Sequence, residues 1–320
     1  MSGIVIAGSI LVDKIYDINA YPNSGQLTQI KSLSRAVGGC VPNVAIDLAR
    51  LSKDIKVSAI GKIGLDDDGA YVSNVLKGEG VLVDGIVKSK DATTSFTNVM
   101  NVIDGERTFF TYSGASADFG YEDIDFDSLD CKMFHLGYFL LLDKVDNGDG
   151  LKILKELSNR GIKTSIDLVS ENSDRYKNVI PCLKYTDNVI INEIEAGNIA
   201  GVEPTINNLK EIATIIKNYG VRDRVIIHMP EVSCCLDDNE FVLLPSLELP
   251  NGYIKGKTGA GDAFCAGALL SIYQGLSNLK ILENASYSAT MALSSKDAVS
   301  GMVDMSLAIE NCKNFKRKVI

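Results

Sequence analysis

Short apolar runs alternate with helical patterns along almost the whole chain, and this rhythm constrains the fold more than any other feature. "GIVIAGS" (3–9) reads as a buried strand, and "NVAIDLARL" (43–51) as a helix with apolar positions at Val44, Ile46, Leu48 and Leu51. "KVSAIGKIG" (56–64) is the next strand, and "DDGAYVSNVLKGEG" (67–80) a helix closed by glycine. Four more runs read as strands: "KMFHLGY" (132–138), "KTSIDLV" (163–169), "NVIINE" (188–193) and "RVIIHMP" (224–230). Helical patterns separate them at "GDGLKILKELSNRG" (148–161) and "INNLKEIATIIKNYG" (206–220). Three helical segments close the chain, at about 261–274, 279–295 and 304–317. Strands that alternate with helices pair in parallel and carry helices on both faces, so the fold class is α/β.

Two places break the rhythm. Residues 14–35 lack helical periodicity, and "TTSFTNVMNVIDGERTFFTY" (93–112) reads as a β-hairpin turned at Asp104-Gly105. A small β-element inserted early in an α/β chain often lids the carboxyl edge of the sheet, where ligands bind; the alternative is a surface hairpin without a role. With no internal repeat, low-complexity tract or Pro/Gly linker, residues 1–320 read as a single domain with a β lid from about 14–35 and 93–112.

Composition narrows the partners. With 46% apolar and 23% charged residues the chain has a soluble globular profile, and a net charge of −9 argues against nucleic acid or an anionic membrane as partner. Seven cysteines without a CxxC pair, and two histidines, read as reduced thiols and not as a disulfide framework or zinc site. "MSGIVIAGSILVD" has too short an apolar run for a signal peptide, and no run approaches a membrane span, so the expected location is cytoplasmic.

The chemistry concentrates in "GYIKGKTGAGDAFCAGALL" (252–270). A P-loop requires Gly five residues before Gly256 of the Gly-Lys-Thr at 256–258, and Asn251 stands there instead. The dinucleotide pattern fails as well, because Phe264 occupies the third glycine position. The parts of an anion site remain. Gly259, Ala260 and Gly261 leave their amides unshielded at the start of a helix, where the dipole favours negative charge. Asp262 follows in the first turn. On its own it reads equally as an acid complementing that dipole, with the glycines a tight turn.

"TGAGDAF" (258–264) resembles the C-terminal signature of the ribokinase-like, or PfkB, carbohydrate kinases. "GGCVPNVA" (38–45) is similar to the N-terminal signature of that family, close to its fructokinase form, and "NEIE" (192–195) to its N-x-x-E element. The resemblance implies a ribokinase-like three-layer fold with a mostly parallel central sheet and a β-sheet lid. It implies an ATP-dependent sugar kinase with Mg²⁺, assembled as a homodimer through the lid. Asp262 would be the general base for the acceptor hydroxyl, and the Gly259, Ala260 and Gly261 amides the anion hole for the transferring phosphoryl group. Asp13, Gly39 and Asn43 would face the sugar; Asn43 is also a candidate helix N-cap. Asn192 and Glu195 would orient the Mg²⁺–ATP unit through water, with a strand-end cap and a solvated helix acid as the alternative.

Departures from the family pattern bear on the nucleotide end. Gly256-Lys257 replaces a common Asp-Thr whose Asp helps form a monovalent-cation site, so potassium activation is not expected. Lys257 either meets the ATP phosphates or stays in solvent. Ser286 falls where relatives often place Asn or His beside adenine. Cys265 reads as core packing, Cys40 borders the sugar pocket, and His135 and His228 on apolar strands read as structural. "ATMALSS" (289–295) is reminiscent of pseudouridine kinases, which keeps a nucleoside acceptor as the alternative to a sugar. A non-catalytic ligand-binding regulator is the reading from a different class.

Overall fold

The computed structural model of the chain describes residues 2–102, 107–171 and 173–320. The chain opens with β1 (Ile4–Gly8), β2 (Leu11–Ile18), β3 (Ile30–Gly38) and helix α1 (Cys40–Leu51). Next come β4 (Val57–Gly64), α2 (Asp67–Gly78), β5 (Leu82–Ser89), β6 (Ser95–Val102), β7 (Arg107–Tyr112) and the single turn α3 (Gly114–Ala117). The middle holds β8 (Met133–Phe139), α4 (Gly150–Asn159), β9 (Lys163–Leu168), the short α5 (Ile180–Leu183), β10 (Asn188–Asn192) and α6 (Glu193–Ala200). It ends with α7 (Leu209–Asn218), β11 (Arg224–His228), β12 (Val232–Leu236), β13 (Phe241–Pro245), α8 (Ala260–Tyr273), α9 (Asn278–Leu293) and α10 (Met305–Cys312).

Among the described residues these strands form a nine-stranded sheet, ordered β13-β12-β11-β10-β9-β8-β1-β4-β5, and a separate four-stranded sheet, ordered β3-β2-β6-β7. From β11 to β5 the large sheet is parallel, and β12 and β13 extend it antiparallel. The chain runs outward from β1 in both directions, so the order reverses between β1 and β8, the kind of crevice where α/β sheets bind ligands.

Period-two alternation splits the apolar residues of β1 between two cores. Ile4 and Ile6 pack with α1, α8 and α9 on one face, whereas Val5 and Ala7 pack with α4 and α7 on the other. A strand covered on both faces must be apolar throughout, which is why "IVIAG" does not alternate with polar residues. Gly8 ends β1 at φ +134°, and a Cβ there would lie 2.3 Å from the Gly137 carbonyl oxygen on β8.

Most elements fall where the alternation places them, with three differences. The region expected at 14–35 begins at Leu11 and reaches Gly38, since β2 and β3 pair antiparallel along their whole lengths. β6 and β7 form the expected antiparallel pair, but Asp104-Gly105 lies outside the described residues. The last helix stops at Cys312 instead of 317. Residues 316–318 pair with 246–248 through Lys316 O, Lys318 N and the Leu247–Arg317 bridge, so tertiary pairing overrides helical pattern. No described helix is long and apolar enough to cross a membrane.

Gly8→Ala is expected to lower stability by at least about 1–3 kcal/mol, the cost of an unfavourable backbone conformation, before the clash is counted. Gly78→Ala, in a helix with open space around the added methyl, should be neutral or stabilise by up to about 1 kcal/mol. Urea midpoints of the two variants check this; equal midpoints would remove the tight β1–β8 contact as a stability determinant.

Candidate active site

The carboxyl ends of β8, β9, β10 and β11 and the start of α8 enclose a cavity of about 210 Å³. Tyr138, Asp167, Asn192, Glu195, His228 and Asp262 line it, together with Gly259 and Gly261. The pocket is thus rich in carboxylates. It lies beside the sheet's switch point, as the sequence pattern leads one to expect.

Helix α8 supplies its centre. Gly259 caps the helix in the left-handed region at φ +79°, and a Cβ there would lie 2.5–2.7 Å from Ala298, so only glycine fits. A Cβ on Gly261 would meet only His228 Cε1 at 3.7 Å, so the packed protein leaves open space above that turn. The Ala260 amide donates to Lys257 O at 3.3 Å, whereas the Gly261 and Asp262 amides fall in the first turn, where helices lack internal acceptors. Gly261 and Asp262, more than Ala260, are therefore the free donors.

Asp262 is 7% exposed. Its Oδ2 accepts hydrogen bonds from Asn43 Nδ2 at 2.8 Å and from the Tyr138 hydroxyl at 3.2 Å. Burial and then the nearby Asp167 charge raise its pKa from 3.8 to about 7, and the two hydrogen bonds pull it back only partly. A carboxylate held ready to take up a proton near neutral pH, beside free helix amides, suits general-base chemistry next to an anion.

Asn43 comes from α1. Gly39 is the N-cap of that helix, at φ +87°, because a Cβ would meet Ser9 O at 2.6 Å. This corrects the N-cap alternative for Asn43, which sits a full turn inside the helix and reaches across to Asp262. Asp13 projects from β2 beside Gly38, where an added Cβ would lie 2.7 Å from Asp13 Oδ2. Burial lifts its pKa to about 6, against the Arg107 charge.

Asn192 and Glu195 close a reciprocal capping box on α6: Asn192 Oδ1 accepts from the Glu195 amide at 2.9 Å, and Glu195 Oε2 from the Asn192 amide at 3.1 Å. Both also line the cavity. Glu195 is not a solvated helix acid. It is buried, accepts from the Ser170 hydroxyl at 2.9 Å, and burial raises its pKa to about 8. Lys257 and Ser286 stand apart from this cluster. Lys257 is exposed and makes no ion pair among the described residues, and the Ser286 hydroxyl donates to Leu282 O of its own helix at 2.8 Å. Cys265 is buried as expected but also lines the cavity, so packing is not its whole setting. His228 lines it too, its ring tilted against that of Phe264 with centroids 4.7 Å apart, and burial lowers its pKa to about 4.

Three residues escaped sequence reasoning. Asp167, at the end of β9, accepts from the Tyr138 amide at 2.5 Å. Tyr138 holds φ at +59°, a conformation uncommon for a side-chain-bearing residue, and its hydroxyl reaches Asp262. Arg107, at the start of β7, donates to Thr258 Oγ1 at 3.1 Å and so ties the four-stranded sheet to the loop before α8. An acid ending the buried run "KTSIDLV" was the available signal for Asp167; Tyr138 and Arg107 carried none in local pattern.

Comparison with known proteins agrees with this geometry. The sequence profile described as pfkB family carbohydrate kinase matches residues 1–305. The chain is 28% identical over 305 residues to a protein of Arabidopsis thaliana named probable fructokinase-6, chloroplastic, covering 87% of this chain and 72% of that one. Its fold is similar to that of Arabidopsis thaliana ribokinase complexed with ribose and ATP, with a TM-score of 0.84 at 21% identity, covering 98% of this chain and 99% of that one. It is also similar to the nucleoside kinase of Methanocaldococcus jannaschii, with a TM-score of 0.80 at 17% identity and 98% of each chain covered. With its profile matched almost end to end and its helix-cap glycines, buried Asp262 and small second sheet in place, the chain belongs to the pfkB family of carbohydrate kinases.

Proposed function

We propose that this chain is an ATP-dependent kinase that transfers the γ-phosphate to a hydroxyl of a small fructose- or ribose-like sugar, working as one kinase domain under a β lid. The observation that carries this reading is Asp262: buried, poised near pH 7, and held by Asn43 and Tyr138 at the start of α8. The acceptor hydroxyl gives its proton to the Asp262 carboxylate as its oxygen bonds to the γ-phosphorus, and the bond from that phosphorus to the bridging oxygen of ADP breaks. Gly261 and its neighbouring first-turn amides hold the charge on the phosphoryl oxygens. Asp13 accepts sugar hydroxyls from the lid side, and Gly39 lets the α1 backbone approach the sugar.

The cavity's donor set fits a hard dication: Asn192 and Glu195 offer oxygen, and Glu195 carries a proton that a nearby cation would displace. When bound, Mg²⁺ would neutralise phosphate charge, with Asn192 and Glu195 holding it through water. Lys257 and Ser286 are assigned to the nucleotide end, where an exposed ammonium can turn toward phosphates. Replacing Gly256 by a carboxylate residue would push a Cβ to 2.8–2.9 Å from the Ser295 and Lys296 carbonyls, which supports a chain without potassium activation. A cytoplasmic location fits the sequence profile.

The four-stranded sheet supports dimerisation. On one face it exposes Leu33 and Phe110 at 66% and 55%, an apolar surface that a partner would cover, while Phe109 points to the opposite face. Two such sheets stacked face to face would bury it.

Asp262→Asn should preserve fold and ATP binding while lowering kcat about 10²–10⁴-fold. Its stability should also shift with pH. Between 3.8 and about 7 the folded protein keeps a proton that the unfolded chain has lost, so wild-type stability falls as pH rises through that window. The variant lacks this loss, and its melting temperature should gain on wild type from pH 4 to pH 8. Near-normal turnover would remove Asp262 from the mechanism.

Asp13→Ala should raise the acceptor KM at least tenfold with little change for ATP, since each charged hydrogen bond contributes about 1.5–3 kcal/mol. A screen of ADP release with sugars and nucleosides supplies the acceptor for that comparison. Turnover with nucleosides alone would move the assignment to a nucleoside kinase, and none with either would favour a regulator.

Phe110→Asp should convert a dimer into monomers in sedimentation at micromolar concentration. A wild-type chain that sediments as a monomer would overturn the lid interface.

A further inference from the structure

Beneath the cavity lies a set of side chains that phosphoryl transfer does not use. Cys40 Sγ, His135 and Asp167 bring one ligand atom each within 4.8 Å of one another, and all three residues are buried. They come from α1, β8 and β9, so the fold and not a local motif assembles them, which is why the thiol and histidine counts gave no sign of it. Cys265, on the first turns of α8, lies beside them, its Sγ 3.6 Å from His135 Nε2, but does not come within 4.8 Å of all three ligand atoms.

The edges of this cluster have the size of a metal polyhedron. Cys40 Sγ to Asp167 Oδ2 is 3.7 Å, and His135 Nε2 to Asp167 Oδ2 is 3.3 Å. Tetrahedral zinc, with bonds of about 2.3 Å to sulfur and about 2.0–2.2 Å to nitrogen and oxygen, requires edges of about 3.6 and 3.4 Å for the same atom pairs. The outer shell is also present. His135 Nδ1 shares a hydrogen bond with Ser165 Oγ at 2.9 Å, which fixes the ring with Nε2 facing the cluster, and Asp167 Oδ1 accepts from the Tyr138 amide.

We propose that Cys40, His135 and Asp167 form a binding site for one soft divalent cation of the zinc class, its fourth position open to the cavity that Asp167 lines, distinct from the Mg²⁺–phosphate position at Asn192 and Glu195. Asp167 and Cys265 line the cavity, so the ion enters from the same opening as the substrates. Burial raises the Cys40 thiol well above its ordinary range, and a bound dication reverses that preference by releasing its proton. Mixed sulfur, nitrogen and oxygen ligation selects zinc or cobalt over magnesium. Through Asp167 and Tyr138 the ion is connected to Asp262, so its occupancy acts on the proposed base.

The test is titration of the reduced, metal-stripped full chain with Co²⁺. One equivalent should bind, with the visible bands of tetrahedral cobalt and a near-ultraviolet thiolate-to-metal charge-transfer band, and Zn²⁺ should displace it and erase both. Cys40→Ser should weaken binding at least tenfold and diminish the charge-transfer band. Ser165→Ala, a milder change that leaves every ligand in place, should weaken it about 10–100-fold. Cys131→Ser, on a thiol outside the cluster, should change neither. Circular dichroism reports whether each variant is folded; if Cys40→Ser is not, the wild-type spectrum and Ser165→Ala decide. Absence of tetrahedral bands in the wild type, or unchanged affinity in the folded variants, would overturn the site. Neither readout depends on kinase turnover, so failure here leaves the kinase assignment intact, and the reverse.

Discussion

A single hydrogen bond, from Asn43 Nδ2 to Asp262 Oδ2, joins residues 219 positions apart and fixes how the two ends of the chain meet. It forms because α1 and α8 pack on the same face of the parallel sheet with their N-termini directed at the same edge. Gly39 and Gly259 make that approach possible. Both are helix caps with positive φ, and both press against backbone or side-chain atoms that a Cβ would strike. With either helix displaced, the carboxylate would lose its donor and the cavity its wall. The N-terminal and C-terminal signatures therefore describe one contact seen from two sides.

The site's second feature is unbalanced negative charge. Asp13, Glu195 and Asp262 each have a pKa raised chiefly by burial, and Asp167 adds to the rise at Glu195 and Asp262. Such a cluster is costly in the empty protein and is relieved by protons or cations. That makes it a receptive setting for a metal-bound phosphate chain and for a hydroxyl proton. Arg107 is the counterweight on the side of the four-stranded sheet: it donates to Thr258 and draws down the Asp13 pKa, which joins that sheet to the charge of the site.

Local pattern revealed the parallel strands, the flanking helices and the two-part β insertion, because strand burial and helix amphipathicity are written into neighbouring residues. It could not place what long-range pairing decides. The tail at 316–318 leaves its helix to pair with 246–248, and β12 and β13 turn antiparallel at the sheet's edge. In the site, motif residues such as Gly259, Asp262 and Asn43 were legible, as was the Asn192–Glu195 pair. Tyr138, Arg107 and the Cys40–His135–Asp167 cluster were not, since each acquires its meaning from a partner on another element. Asn43 itself was legible only in part: the resemblance set it toward a sugar with an N-cap as the alternative, and packing makes it a donor to the buried acid.

The pH dependence of kcat/KM for the acceptor, measured on the unaltered enzyme, tests the central claim most directly, because it reports the ionisation of the free enzyme's base. If Asp262 takes the hydroxyl proton with its pKa raised to about 7, the rate constant should fall about tenfold per pH unit below that value. Asn43→Ala, which removes a hydrogen bond that favours the charged form, should move the break upward. A profile flat down to pH 5, or a break that stays fixed in Asn43→Ala, would contradict a buried Asp262 acting as the base.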